Sequence, residues 1–213
     1  GNHQARILEQ HLRNQKIPYQ RSGGQSFFEK AEIKDLIAYL RLLMNSDDDP
    51  AFIRAVTTPK RGVGTQTLEK LGAYAASRQI SLFAAVFELG LESQLKTAQL
   101  EPLREFCDFI NQLEYRASKE AAGDVLQSLL KAIDYEAWLF DSEEGKTAET
   151  KWKNVQEFIR WLTEKGETDG KNIIQLTQTI ALITMLEGRD AGEIDAVKLS
   201  TLHASKGLEY PHV

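Results

Sequence analysis

Val197-Lys198-Leu199-Ser200-Thr201-Leu202-His203-Ala204-Ser205-Lys206-Gly207-Leu208-Glu209-Tyr210-Pro211-His212-Val213 closes the chain and sets its reading. Val197, Leu199 and Thr201 alternate with Lys198, Ser200 and Leu202, a period of two that predicts a short strand. The small and polar residues from His203 to Gly207 then read as a corner. Backbone N–H groups lie free at such corners and can meet a phosphate. A strand needs neighbours, yet nearly everything before Val197 reads as helix. We therefore expect this stretch to be part of a larger sheet domain, with a further apolar run beginning at Val213.

The other end of the chain supplies matching pieces. Residues 4–14 carry Ile7, Leu8, His11 and Leu12 on one helical face, and residues 17–22 read as an extended segment ending at the Gly23-Gly24 turn. The two ends thus fit one interrupted sheet domain, and the middle, about residues 23–193, is an insertion.

That middle is a succession of amphipathic helices. Ile33, Leu36, Ile37, Leu40, Leu43 and Met44 follow helical spacing from Ala31 to Met44. Asp47-Asp48-Asp49-Pro50 separates two helices, with Asp49 expected as N-cap and Pro50 as the first helical residue. It lacks the alternating ligands and the glycine of a calcium loop. A capped helix is expected from Ser81 to Leu89, ended by Gly90, and a long one from Thr97 to Arg116. Cys107 lies in the apolar stripe of the latter, so it reads as a packed thiol rather than a nucleophile. Val125, Leu126, Leu129, Leu130 and Ile133 make another helix, followed by a short aromatic element, Tyr135 to Phe140, and a surface loop, Asp141 to Lys146. Trp152, Val155, Phe158, Ile159 and Leu162 form the next apolar face, continuing to Gly166. Asn172 caps a last helix, Ile173 to Leu186, and Gly188 to Gly192 leads back to the strand. Trp138, Trp152 and Trp161 fall at helical spacing and read as core rather than as base-stacking platforms. The expected class is mainly α: a compact multi-helix domain, with short strands at the two ends.

Residues 57–67, Thr-Thr-Pro-Lys-Arg-Gly-Val-Gly-Thr-Gln-Thr, are the most informative interior stretch. They lie between a short helix, Ala51 to Val56, and a longer one, Gln66 to Gln79, and so read as helix, hairpin, helix. Gly62 and Gly64 let a backbone pass close to a partner. The N–H groups beyond Gly64 open a helix, which favours an anion. Lys60 and Arg61 add positive charge, and Thr65 or Thr67 a hydroxyl. This is chemistry for gripping the duplex backbone without reading sequence; the alternative is a plain turn with Thr65 as N-cap.

The 213 residues carry a formal charge of -5, so any nucleic-acid contact must be local. No apolar run is long enough to span a bilayer, and the opening Gly-Asn-His-Gln is not a secretory signal. With one cysteine there is no internal disulfide, and a cytoplasmic setting is expected. Without an initiator Met, the first residue reads as an artificial boundary. No phosphate-cradling Gly-x-x-x-x-Gly-Lys-Ser/Thr loop occurs; Ser205-Lys206-Gly207 has the wrong order. His3, His11, His203 and His212 are scattered, without metal-ligand spacing. We expect no catalytic residues, no metal site and no self-sufficient active site.

Thr201-Leu202-His203-Ala204-Ser205-Lys206-Gly207-Leu208-Glu209 resembles motif V of the UvrD/Rep-type superfamily 1 DNA helicases. The Gly62-Val63-Gly64 hairpin resembles the Gly-Ile-Gly hairpin of that family's 2B domain, with Val63 in place of Ile. Gly1-Asn2-His3-Gln4-Ala5-Arg6 is similar to another family segment. The resemblance implies residues 1–22 and 194–213 as parts of a RecA-like 2A domain, and residues 23–193 as the helical 2B domain. Asn2, Thr201 and His203 match positions on single-stranded DNA, and Gly207 and Glu209 match positions facing the nucleotide. Lys34, Gly62, Gly64 and Thr67 match 2B positions that meet the duplex ahead of the fork. Tyr210 stands where Phe is usual. ATP and magnesium are the cofactors implied for the parent helicase, whose Walker motifs are not in this sequence, so the fragment itself is expected neither to bind them nor to hydrolyse ATP. The implied partners are duplex DNA, single-stranded DNA and replication-restart proteins, without a membrane. Unpaired strand edges add self-association. Two rival readings are a helical protein-interaction module that does not touch DNA and a free-standing enzyme.

Overall fold

Ala31–Met44 forms α1, which packs against three later helices, Asp49–Thr57, Thr97–Ala117 and Gly145–Asp169. Its buried positions include Ile33, Leu36, Tyr39, Leu40, Leu42 and Leu43, which reach around more of the helix than the single stripe read from spacing. Glu32 and Asp35 are buried on it as well. A helix apolar on most sides belongs in a centre, not on a surface.

The computed structural model describes residues 26–202, with side chains as far as residue 188. The helix and the extended piece expected over residues 4–22 lie outside it. After α1 come α2 (Asp49–Thr57), α3 (Thr65–Arg78), α4 (Leu82–Val86), α5 (Thr97–Ala117), α6 (Ala122–Ala132), α7 (Tyr135–Ser142), α8 (Gly145–Asp169) and α9 (Ile173–Leu202). Single 3-10 turns stand at Phe27–Glu29 and Leu89–Ser93. The class is mainly α, as the apolar spacing predicts.

Two compact units divide the chain: residues 28–178, and a second made of residues 1–27 and 179–213. In the larger unit α1 packs against α2, α5 and α8, and α8 also covers α6 and α7. One aromatic group joins Tyr39, Phe52, Phe83 and Phe106, with ring centroids 5.6 to 6.3 Å apart. Another joins Phe28, Phe158 and Trp161. Trp161 is buried and Trp138 and Trp152 are half-buried. Cys107 is fully buried within α5.

Several boundaries differ from the sequence reading. The N-cap of α2 is Asp48, not Asp49: the Asp48 carboxylate accepts from Ala51 N at 3.1 Å, which makes Asp49 the first helical residue. Asp49 is instead used across the gap, accepting from Leu82 N at 3.0 Å, and Asp47 accepts from the Ser81 hydroxyl at 2.7 Å. The acidic run thus serves the starts of both α2 and α4. The helix expected to Leu89 stops at Val86, and Gly90 falls inside a 3-10 turn. The loop expected over Asp141 to Lys146 shrinks to Glu143 and Glu144, because α8 already starts at Gly145.

The largest correction concerns Val197 to Leu202. These residues are helical, the last part of an unbroken α9 that also runs through Gly188 and Gly192. A strand gains its hydrogen bonds only from a neighbour, and among the described residues there is no other strand. A helix closes its own bonds, and two glycines cost it only about 1 kcal/mol each.

Candidate nucleic-acid interface

Residues 58–67 project between the end of α2 and the start of α3. Thr58 caps α2 in extended conformation, the Thr58–Pro59 peptide is cis, and Pro59 is buried. Lys60, Gly62, Gly64, Thr65 and Gln66 are exposed, and Arg61 and Val63 half-buried. The hairpin therefore faces solvent. Gly62 has φ +79°, the left-handed region that favours glycine. Gly64 has φ −94° and ψ 176°, which any residue adopts, and a Cβ there would meet nothing within 4 Å. Neither the backbone nor the packing of this fold asks for glycine at 64.

Gly64 is also the N-cap of α3, so no side chain caps that helix, and no acidic residue stands in its first turn. The first-turn N–H groups of Thr65, Gln66 and Thr67 are left with the positive end of the helix dipole. α1, α2 and α6 each carry a carboxylate there, Glu32, Asp49 and Asp124. The Thr67 side chain is buried, at 5 % exposure, so what it offers outward is its backbone.

Beneath the hairpin lies a seat that spacing did not reveal. The Tyr39 hydroxyl, on α1, is 3.0 Å from Ala55 O and 2.8 Å from Thr58 O. Arg61 Nη2 donates to that hydroxyl and, at 3.2 Å, to Ala55 O. The guanidinium carbon sits 4.7 Å from the centre of the Phe106 ring. Burial pushes the Tyr39 phenol up to about 12, with the Arg61 charge pulling the other way, so it stays protonated at neutral pH. Tyr39 is not among the apolar positions read on α1 from spacing; that a buried tyrosine hydroxyl must find partners is the signal that points to a polar contact. Lys60 has no ion-pair partner among the described residues. It borders a pocket of about 210 Å³ lined by Pro59, Arg61, Phe109, Ala132 and Ile133.

A second pocket, about 220 Å³, is lined by Thr58, Glu32, Asp35, Tyr135, Glu143 and Lys151 among others. Its charges are internally matched: Arg54 Nε and the Tyr135 hydroxyl donate to Asp35, each at 2.9 Å, Asn154 donates to Glu32, and Lys151 pairs with Glu143.

The remaining sequence-derived positions scatter. Lys34 is exposed on α1, 3.9 Å from Glu29, and no hydrogen bond or ion pair joins it to the hairpin among the described residues. Thr201 is in the backbone of α9. Asn2, His203, Gly207 and Glu209 lie outside the described residues. Among the described residues no group of His, Cys, Asp or Glu is arranged to hold a metal ion, and no helix is long and apolar enough to cross a membrane.

The family model of the UvrD-like helicase C-terminal domain matches residues 1–213, and this chain belongs to that family. It is 44 % identical over 219 residues to the ATP-dependent DNA helicase Rep of Salmonella typhimurium, and equally to that of Escherichia coli. It is 34 % identical to the ATP-dependent DNA helicase PcrA of Bacillus subtilis. Each match covers 100 % of this chain but only 32 %, 32 % and 29 % of those relatives, so the chain spans about a third of their length.

Proposed function

We propose that this chain is the duplex-gripping and motif V portion of an ATP-dependent 3′-to-5′ DNA helicase. The observation that carries the reading is the solvent-facing hairpin whose Gly64 opens a helix with no side-chain cap and no acidic residue in its first turn. A phosphate brought to Thr65, Gln66 and Thr67 would accept from their N–H groups, and the empty space around Gly64 lets the sugar–phosphate backbone come that close. Lys60 supplies a cation beside it, and Lys34 a further one on α1.

In this reading residues 23–193 act as a 2B domain that regulates unwinding by holding duplex ahead of the fork. Residues 1–22 and 194–213 belong to 2A. There Asn2, Thr201 and His203 would hold single-stranded DNA, and Gly207 and Glu209 would face the nucleotide. ATP with magnesium would supply the driving hydrolysis in the whole helicase. Replication-restart proteins would be further partners of the whole helicase.

Binding of a labelled duplex, followed by anisotropy across a salt series, tests this. With roughly two to three phosphates neutralised, log K should fall with log salt at a slope of about −2 to −3. Lys60→Glu should weaken binding at low salt. No binding at low salt, or binding indifferent to that reversal, would sink the proposal.

A second reading, a helical module for protein partners, is favoured by the exposed Phe87, Leu89 and Tyr115, at 50 %, 82 % and 67 %. Loss of a protein partner, with DNA binding intact, on mutating these would mark them as a separate surface.

A further inference from the structure

We propose that Arg61 is a positioning residue: it braces the hairpin from inside against Tyr39 and Phe106, and Lys60 alone of the adjacent pair faces the DNA. This rests on the duplex contact proposed above and deepens it by dividing the labour of the two cations.

The geometry separates them. Lys60 is exposed, without an ion-pair partner among the described residues. Arg61 is half-buried, and its guanidinium is engaged twice: Nη2 donates to the Tyr39 hydroxyl and to Ala55 O, and the guanidinium carbon lies over the Phe106 ring. Its Nε is buried. A guanidinium held this way cannot swing out to a phosphate without giving up both hydrogen bonds and the Phe106 face.

What it holds in place is equally specific. Ala55 O lies in the last turn of α2, where the helix dipole favours a cation, and Thr58 O belongs to the residue entering the turn. The Tyr39 hydroxyl is within hydrogen-bonding distance of both. Tyr39 and Arg61 together therefore tie the end of α2 to the far arm of the bend, immediately before Gly62. Gly62 offers no side-chain restraint of its own, so the direction in which Gly64 and the α3 amides face depends on that tie. Lysine in place of Arg61 would keep the charge but lose the fork and the stacking surface.

The experiment compares Lys60→Ala, Arg61→Gln, Arg61→Lys and Tyr39→Phe, with circular dichroism to confirm folding. Two readouts are taken: the salt slope of duplex binding, and amide hydrogen exchange at residues 62–67 without DNA. Lys60→Ala should flatten the slope by about one unit and leave exchange unchanged. Arg61→Gln should speed exchange at those amides and weaken binding about tenfold, the effect of losing roughly 1.4 kcal/mol, with the slope unchanged. Arg61→Lys should not restore it. Tyr39→Phe, which removes one buried hydroxyl and no charge, should shift exchange and affinity in the same direction. If Arg61→Gln flattens the slope as Lys60→Ala does, or if exchange stays unchanged in both Arg61→Gln and Tyr39→Phe, the proposal is overturned. Should the wild type fail to bind duplex, the function proposed above fails, while the exchange measurement still decides the role of Arg61.

Discussion

Gly62 and Gly64 look alike in sequence and differ in the fold. Gly62 needs its φ of +79°, so Gly62→Ala should cost about 1 kcal/mol of stability. At Gly64 a methyl has room. The gain from a stiffer unfolded chain, about 0.4–1 kcal/mol, offsets a cap loss of similar size. Gly64→Ala should therefore leave the denaturation midpoint nearly unchanged while weakening duplex binding, which makes it the cleaner test of backbone approach. Asp35 makes a second prediction at this scale. Burial raises its carboxyl above the ordinary 3.8, against the pull of Tyr135 and Arg54. The folded state then holds the proton more tightly than the unfolded chain, so its contribution is fullest below 3.8 and falls as pH climbs through the raised value. The stability difference between wild type and Asp35→Asn, measured by urea unfolding over that window, should decline with rising pH and level off above it.

Among the elements, α1 and the Asp47 to Asp49 run are the informative contrast. The stripe on α1 was legible because apolar residues recur at helical spacing, but its central position was not, since Tyr39 and the buried Glu32 and Asp35 find their partners on α2, α5, α7 and α8 and in the hairpin. Leu36 and Leu40 are fully buried, and either truncated to alanine should lose about 2–5 kcal/mol in chemical denaturation. The acidic run could be recognised as a helix start, yet which carboxylate caps which helix depends on α4 folding back against α2, a contact no local pattern encodes. Asp48→Ala should cost about 1 kcal/mol, in the range of a lost N-cap, and more than Asp47→Ala, whose partner is an exposed serine hydroxyl. The same limit explains the hairpin. Its glycines and cations stood out from composition, whereas the Arg61 seat is assembled from Tyr39 and Phe106, far away along the chain. Period two at Val197 to Thr201 misled because alternation describes side chains, while the backbone follows whichever hydrogen-bond partners exist.

For the whole molecule, the continuous unit 28–178 carries its own aromatic core and its own helix contacts. Expressed alone, it should retain helical circular dichroism and melt in one cooperative transition; a broad, non-cooperative melt would show that the two units depend on each other. It also contains the whole hairpin, so it should bind duplex with the salt slope of the full chain. Cys107, the sole thiol of the sequence, sits sealed in α5, where burial drives its ionisation upward and leaves almost no thiolate to react. The protein thus comes with a single-hit clock: an alkylating reagent can tag it only when the bundle opens, and the tagging rate counts those openings without any engineered label.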